Sequence, residues 1–251
     1  MKLSPWKERL YDEPLIGCFV TFPSPAITEF TALLGFDFTL IDNEHGVMGQ
    51  NVVEDMVRAS QGVGVPAVVR VASNGYEHTQ KALDMGANGI QVPMINTVQD
   101  ARKVVSLAHF PPKGNRGTAY LTRAASYGLC GNKQEYLVKA NAAKLVSIHI
   151  ETVEAVNNLD EILEVDGIDT LFIGPGDLSS SMGYPPGHPE VSKVIETCIG
   201  KIRNKGKIAG TYTGDVDSTK QAINWGANYI VTAISSYIAS GVQQFLQAVK
   251  K

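Results

Sequence analysis

The sequence predicts a (β/α)8 barrel, and three observations carry the prediction. The length of 251 residues suits one such domain, spanning 1–251, without a second. Short runs of strand-forming residues alternate along the chain with stretches whose apolar residues recur at helical spacing. Three joins also resemble one another: LGFDFTLID, MGANGIQVP and WGANYIVTA set Gly35, Gly86 or Gly226 between a helix and the next strand, which is helix-terminating chemistry. A doubly wound open sheet is the other arrangement that such alternation allows.

The elements follow in order. A strand over 16–21 precedes a helix opened by Pro25 and Thr28 and capped by Gly35. The second strand covers 36–42, and the helix over 51–61 carries Val52, Val53, Met56 and Val57 as an apolar stripe. The run 66–71, PAVVRV, has one charge, Arg70, as expected of a buried parallel strand reaching its functional end. A helix over 76–85, a strand within 86–93 and a helix over 98–108 come next. Residues 110–131 are rich in Gly, Pro and Arg without a period, and this length marks a functional loop. A helix over 133–143, a strand over 144–151, a helix over 153–163 and a strand over 170–173 lead into GPGDLSSSMG. Helix 191–205, strand 208–212, helix 218–225, strand 229–232 and helix 238–249 complete eight strands interleaved with helices.

Composition narrows the function. With 44% hydrophobic and 19% charged residues the chain is globular, and a net charge of -3 attracts neither nucleic acid nor anionic membranes. The start, MKLSPWKERLYDEP, lacks the apolar core of a signal peptide, and no 18 apolar residues run together, so a cytoplasmic protein without membrane contact is expected. Cys18, Cys130 and Cys198 are odd in number and widely spaced, which predicts reduced, packed thiols.

A barrel works at the C-terminal ends of its strands, and there the sequence gathers charge. TLIDNEHG ends the second strand in Asp42, Glu44 and His45; the third ends in Arg70, the fifth in His149 and Glu151, and the sixth leads to Asp177. Charges converging from several strands are expensive unless paired or metal-bound. Individually, each has a structural alternative. Asp42 and Glu44 can cap a loop or form an ion pair, His45 can be a loop residue, and Arg70 can pair with a carboxylate and only hold the barrel together. Asp177 can cap a helix, but it also follows Gly174 and Gly176, whose backbone N–H groups can receive an anion. Together, Glu151 and Asp177 suit a hard cation such as magnesium or manganese, with Arg70 facing a developing oxyanion and His45 moving a proton. No lysine ends a strand, since Lys144 and Lys207 begin theirs, which argues against Schiff-base chemistry.

These residues resemble the metal-dependent class II 2-oxo acid aldolases of the HpcH/HpaI family. The likeness spans nearly the whole chain, with GFDFTLIDNEHG, VVRV, ALDMGANGIQVPMINT, PPKGNRG, IETVEAVNNLDEI and GPGDLSSSMG in family order. The resemblance implies that Glu151 and Asp177 bind the divalent metal (Mg2+, Mn2+ or Co2+), that Arg70 stabilises the enolate, and that His45 is the base. It implies that Asp84, in ALDMGA, raises the basicity of this histidine from a neighbouring subunit, in a homo-oligomer that is often a hexamer. By position alone Asp84 reads as a surface helix residue. The implied reaction is reversible cleavage of a 4-hydroxy-2-oxo acid to pyruvate and an aldehyde, with His149, Gly174, Gly176 and Asp177 beside Arg70 around the substrate. The chain departs from the family pattern at four places: His149 stands for a pyruvate-touching Gln, Gly176 for Ala, Phe19 for Trp, and the last strand runs into AISSY without an Asp. These departures keep open an altered relative that binds a 2-oxo acid and metal as a sensor, or performs another enolate reaction.

Overall fold

A computed structural model describes residues 6–250; residues 1–5, which include the start of the charged amino-terminal segment, and residue 251 lie outside it. Eight parallel strands close into a barrel in sequence order, β1 (Leu15–Val20), β2 (Phe38–Asp42), β3 (Ala67–Arg70), β4 (Gly89–Val92), β5 (Leu145–Ile150), β6 (Thr170–Ile173), β7 (Ile208–Tyr212) and β8 (Tyr229–Ala233). The ring shuts where β1 pairs with β8, Leu15 against Tyr229. This excludes the open sheet.

Strand alternation sorts side chains into two cores. Outward residues such as Ile41, Val69, Ile90, Ile148, Leu171 and Ile230 pack against the surrounding helices. Inward residues, among them Phe38, Leu40, Val68, Phe172 and Tyr229, fill the barrel. Phe38 and Tyr229 stack at 4.6 Å across the interior, and room for that stack is made by Gly17, where a Cβ would lie 2.2 Å from the Phe38 ring.

The helices are α1 (Trp6–Asp12), α2 (Pro25–Leu33), α3 (Gln50–Gly62), α4 (Tyr76–Asp84), α5 (Val98–Ala108), α6 (Lys133–Ala143), α7 (Val153–Asn157), α8 (Leu159–Leu163), α9 (Pro175–Ser181), α10 (Pro189–Asn204), α11 (Val216–Trp225) and α12 (Ile234–Val249). Gly35, Gly86 and Gly226 take φ of 100°, 87° and 101°, the left-handed conformation that ends a helix before its strand.

Four features differ from the sequence reading. Helix α1 is short and charged, yet its Trp6 and Leu10 join the inward core below the barrel. The helix expected over 153–163 is two, because the Asn158 side chain turns aside to donate to the Asn96 carbonyl. GPGDLSSS is helical as α9, with Gly174 and not Asp177 at its N-cap. The closing helix begins at Ile234, directly off β8. The cysteines are all thiols; Cys18 and Cys198 are buried, whereas Cys130 is half-buried. Among the described residues no helix is long and apolar enough to cross a membrane.

The segment 110–131 includes a 3-10 turn, Arg123–Gly128. It docks on the C-terminal ends of α3 and α4: Arg123 donates to the Met85 carbonyl and to Gln61, and Arg58 donates to Tyr127. Helices run back against their strands, so these ends lie at the N-terminal face of the barrel, away from the strand ends where chemistry is expected.

Candidate active site

Strand register brings the second and third strand ends together, since Asp42 and Arg70 are direct partners across β2 and β3. Arg70 donates twice to Asp42, Nε to Oδ1 at 2.9 Å and Nη2 to Oδ2 at 2.7 Å, and its Nη1 lies 3.0 Å from Glu44 Oε2. The Phe19 ring lies under the guanidinium at 4.7 Å. Planar pairing of this kind fixes the arginine and still leaves N–H donors for an incoming oxyanion. Asp42 is buried and also accepts from the Glu44 and His45 N–H groups, closing the turn after β2. Burial alone would raise its pKa, but the Arg70 hydrogen bonds and charge, with the two N–H groups, hold the carboxyl below its ordinary value. Burial wins at Glu44, whose pKa is raised in spite of Arg70. The loop cap and the ion pair are therefore both real, and they hold in place the residues the sequence marked for chemistry.

His45 stands clear of this cluster, its side chain 66% exposed and its Nε2 4.0 Å from Glu44 Oε2. No hydrogen bond or ion pair joins it to Asp84 among the described residues. Asp84 ends α4 at the opposite face of the barrel, where Arg116 of PPKGNRG holds it at 2.7 Å. The Arg116 guanidinium lies over Phe110 at 4.4 Å.

On the fifth strand end, Glu151 is buried with both oxygens engaged. Oε2 accepts from His149 Nδ1 at 2.5 Å and Oε1 from the Met94 N–H at 2.7 Å. Burial pushes this carboxyl up, but the His149 hydrogen bond, the Met94 N–H and the Arg70 charge together bring it below the ordinary range. Gly174 closes against it, for a Cβ there would lie 2.8 Å from Glu151 Oε2. Asp177 is exposed in the first turn of α9. Among the described residues no three His, Cys, Asp or Glu side chains form a ready cage. Two carboxylates from neighbouring strand ends, one of them buried and already oriented, fit a hard divalent cation that completes its shell with water and substrate.

Two expectations change. His149 is buried with one ring nitrogen on Glu151 and the other, Nε2, 2.7 Å from Gln91 Nε2, so neither is left for substrate or metal. The Gly174 N–H bonds the Ile150 carbonyl at 3.3 Å, so Gly174 offers close approach and not an anion donor; Gly176, the second residue of α9, has an N–H without an intrahelical acceptor. Sequence reading passed over Gln91 and Arg116. The signal for Gln91 was a lone amide in the apolar strand GIQV, and for Arg116 the one arginine of a Gly- and Pro-rich motif.

Charge gathered at the C-terminal rim of a closed β/α barrel defines the class, a barrel enzyme with its site at the strand ends. Comparison with known proteins makes it specific. The model of the HpcH/HpaI aldolase/citrate lyase family matches residues 15–240. A 2-keto-3-deoxy-L-rhamnonate aldolase of Escherichia coli K12 is 38% identical over 244 residues, covering 94% of this chain and 89% of that protein. Among solved structures, a HpcH/HpaI aldolase/citrate lyase family protein from Burkholderia cenocepacia J2315 superposes with a TM-score of 0.92 at 32% identity, over 98% of each chain. The citrate synthase SbnG gives 0.87 at 26%, over 97% of this chain and 96% of that one. The chain belongs to the HpcH/HpaI aldolase/citrate lyase family, and it is an enzyme of the family's metal-dependent aldolase type.

Proposed function

We propose that this enzyme reversibly cleaves a 4-hydroxy-2-oxo acid to pyruvate and an aldehyde, with Glu151 and Asp177 holding a divalent cation, Mg2+, Mn2+ or Co2+. The observation that supports this reading is the company at one rim: a guanidinium fixed by Asp42 and Glu44, an exposed imidazole beside it, and an oriented buried carboxylate at Glu151. The relative from Escherichia coli, named for a 2-keto-3-deoxy sugar acid, points to the same substrate class.

When bound there, the cation supplies electrophilic polarisation of the 2-oxo group. Arg70 directs its remaining N–H donors at the same oxygen, where negative charge develops as the bond breaks. His45 takes the proton of the 4-hydroxyl group as that oxygen becomes the aldehyde carbonyl. The C3–C4 bond electrons pass into the C2–C3 bond while the C2 carbonyl pair moves onto oxygen, and protonation at C3 releases pyruvate. Condensation runs the same steps backwards. Phe19 walls the Arg70 side of the site against water.

Asp84 assists His45 from a neighbouring subunit in this proposal, which makes the enzyme a homo-oligomer, with a hexamer as one form. Its place at the far face, and the absence of any link to His45 within the protomer among the described residues, support action in trans. Exposed apolar side chains on α12, Tyr237, Ile238, Val242 and Phe245, support burial against another copy.

The test is pyruvate release from a 4-hydroxy-2-oxo acid. EDTA should abolish it, added Mn2+ should restore it, and His45→Ala should slow it by about 10²- to 10⁴-fold; undiminished release after thorough metal removal sinks the mechanism. A second reading, a relative that binds a 2-oxo acid as a sensor or uses the enolate otherwise, draws on His149 and on the likeness to a citrate synthase. Exchange of pyruvate methyl protons decides between them. Exchange without cleavage of any 4-hydroxy-2-oxo acid indicates another enolate reaction, and binding without exchange indicates a sensor.

A further inference from the structure

We infer that Gln91 and His149 are positioning residues that set the Glu151 carboxylate for its cation, Gln91 acting only through the His149 ring. The inference rests on the proposed role of Glu151 as a metal ligand and adds a device that orients it.

The three side chains form one buried line from β4 across β5 to the rim. Gln91 presents its NH2 to His149 Nε2 at 2.7 Å, and His149 Nδ1 meets Glu151 Oε2 at 2.5 Å. Gln91, His149 and Glu151 are 0%, 1% and 3% exposed, so water does not compete for these bonds. Direction follows from valence. A Gln91 N–H donor requires Nε2 to accept, so the ring proton sits on Nδ1 and is donated to Glu151. Gln91 Oε1 is left buried without a partner among the described residues, the residue of an amide turned by its histidine.

The ring itself cannot swing, because Phe172 lies against it at 4.9 Å and 27° between planes. On the other side of Glu151, Met94 has a φ of 57°, a conformation that is uncommon for a side chain of its kind, and it aims its N–H at Oε1. Gly174 lets the backbone close on one side of the carboxylate, since a Cβ there would lie 2.8 Å from Glu151 Oε2. A carboxylate held on both oxygens and on one face presents its remaining lone pairs in one direction. That is what a ligand to a cation with few protein donors needs, and partners of this kind are worth about 10- to 100-fold in metal affinity. It also explains how a histidine stands in a position beside the metal glutamate without reaching substrate.

The full-length protein, stripped with EDTA, is titrated with Mn2+ by calorimetry, and the EPR spectrum of the bound ion is recorded. Gln91→Leu, which keeps volume and removes the donor, should weaken Mn2+ binding about 10-fold or more, with a melting temperature near wild type; Gln91→Met replaces it if the leucine variant does not fold. In 15N-histidine NMR of the Mg2+-loaded protein, His149 should be the Nδ1–H tautomer in wild type and a mixture in the variant. In a His149→Gln background, adding Gln91→Leu should change Mn2+ affinity less than about twofold, because the intermediary is gone. An Nε2–H tautomer in wild type, an unchanged affinity in Gln91→Leu, or additive effects of the two substitutions overturns the inference while leaving the metal reading intact. A wild type that binds no Mn2+ overturns both.

Discussion

Lys144 shows how a single residue beneath the barrel couples stability to pH. Its ammonium group is buried and donates to the Ala87 carbonyl at 2.5 Å, and no carboxylate pairs with it among the described residues. Burial, with repulsion from Arg116 and Arg123, brings its pKa down to about 7. The native chain therefore loses this proton near pH 7, whereas the unfolded chain keeps it to about 10.4. Between those values the unfolded state binds more protons, so this group makes stability rise with pH, and below the window the fold carries the whole penalty of a buried charge. Lys144→Met removes that slope. Urea melts at pH 7 and pH 9.5 should show wild type gaining stability relative to the variant as pH rises; parallel behaviour of the two proteins would contradict the shift. The same residue had a different use in the sequence, where its place at the start of β5 argued against a Schiff base, and the two readings agree in putting it far from the strand ends.

At the scale of elements, the eight strands were legible because parallel barrel strands are short apolar runs and the αβ joins repeat a glycine in one conformation. What escaped was decided by distant contacts. Helix α1 has two apolar side chains that count only once the barrel floor exists, and the break at Asn158 depends on a carbonyl from the β4–α5 connection. At the candidate site, Asp42, Arg70, His149 and Glu151 were visible as charges in apolar strands, but not their pairing: that Asp42 faces Arg70 is a matter of register, and that His149 is spoken for depends on Gln91. The segment 110–131 stood out as long and aperiodic, and its sequence gave no sign of where it lay. Its anchor is Arg116, whose side chain is 1% exposed between Phe110 and Asp84, itself 20% exposed. Arg116→Met should cost about 2 kcal/mol, below the range for a fully buried pair because Asp84 retains some water. Limited proteolysis should then cut within 110–131 faster than in wild type. An unchanged melting temperature with unchanged cleavage would mean that the arginine does not anchor the segment.

At the scale of the whole molecule, the two faces of the barrel hold different parts of one proposed mechanism. His45 belongs to the strand-end face, whereas Asp84, with Arg116 and the docked segment, belongs to the other. One protomer cannot bring them together without undoing the register of β2 to β4. Helix α12 supplies a reason for copies to meet, because only Ile234 of its sixteen residues is buried, while Val242, Phe245 and Val249 are 52%, 65% and 65% exposed. At the C-terminal end of α2, Phe30, Leu33 and the capping Leu34 add a further exposed apolar group. If the homo-oligomer places Asp84 of one subunit beside His45 of the next, inactive subunits should rescue one another. His45→Ala and Asp84→Asn proteins, each strongly impaired alone, are unfolded together and refolded as a mixture. In an assembly of paired sites, random mixing yields intact His45–Asp84 pairs at about a quarter of the sites, so pyruvate release should return to about that fraction of wild type. Failure to rescue, with mixed assemblies verified by native mass spectrometry, would confine both residues to one protomer's chemistry. Val242→Glu with Phe245→Glu should weaken the assembly and lower activity together, and sedimentation should then approach the 27.0 kDa of one chain.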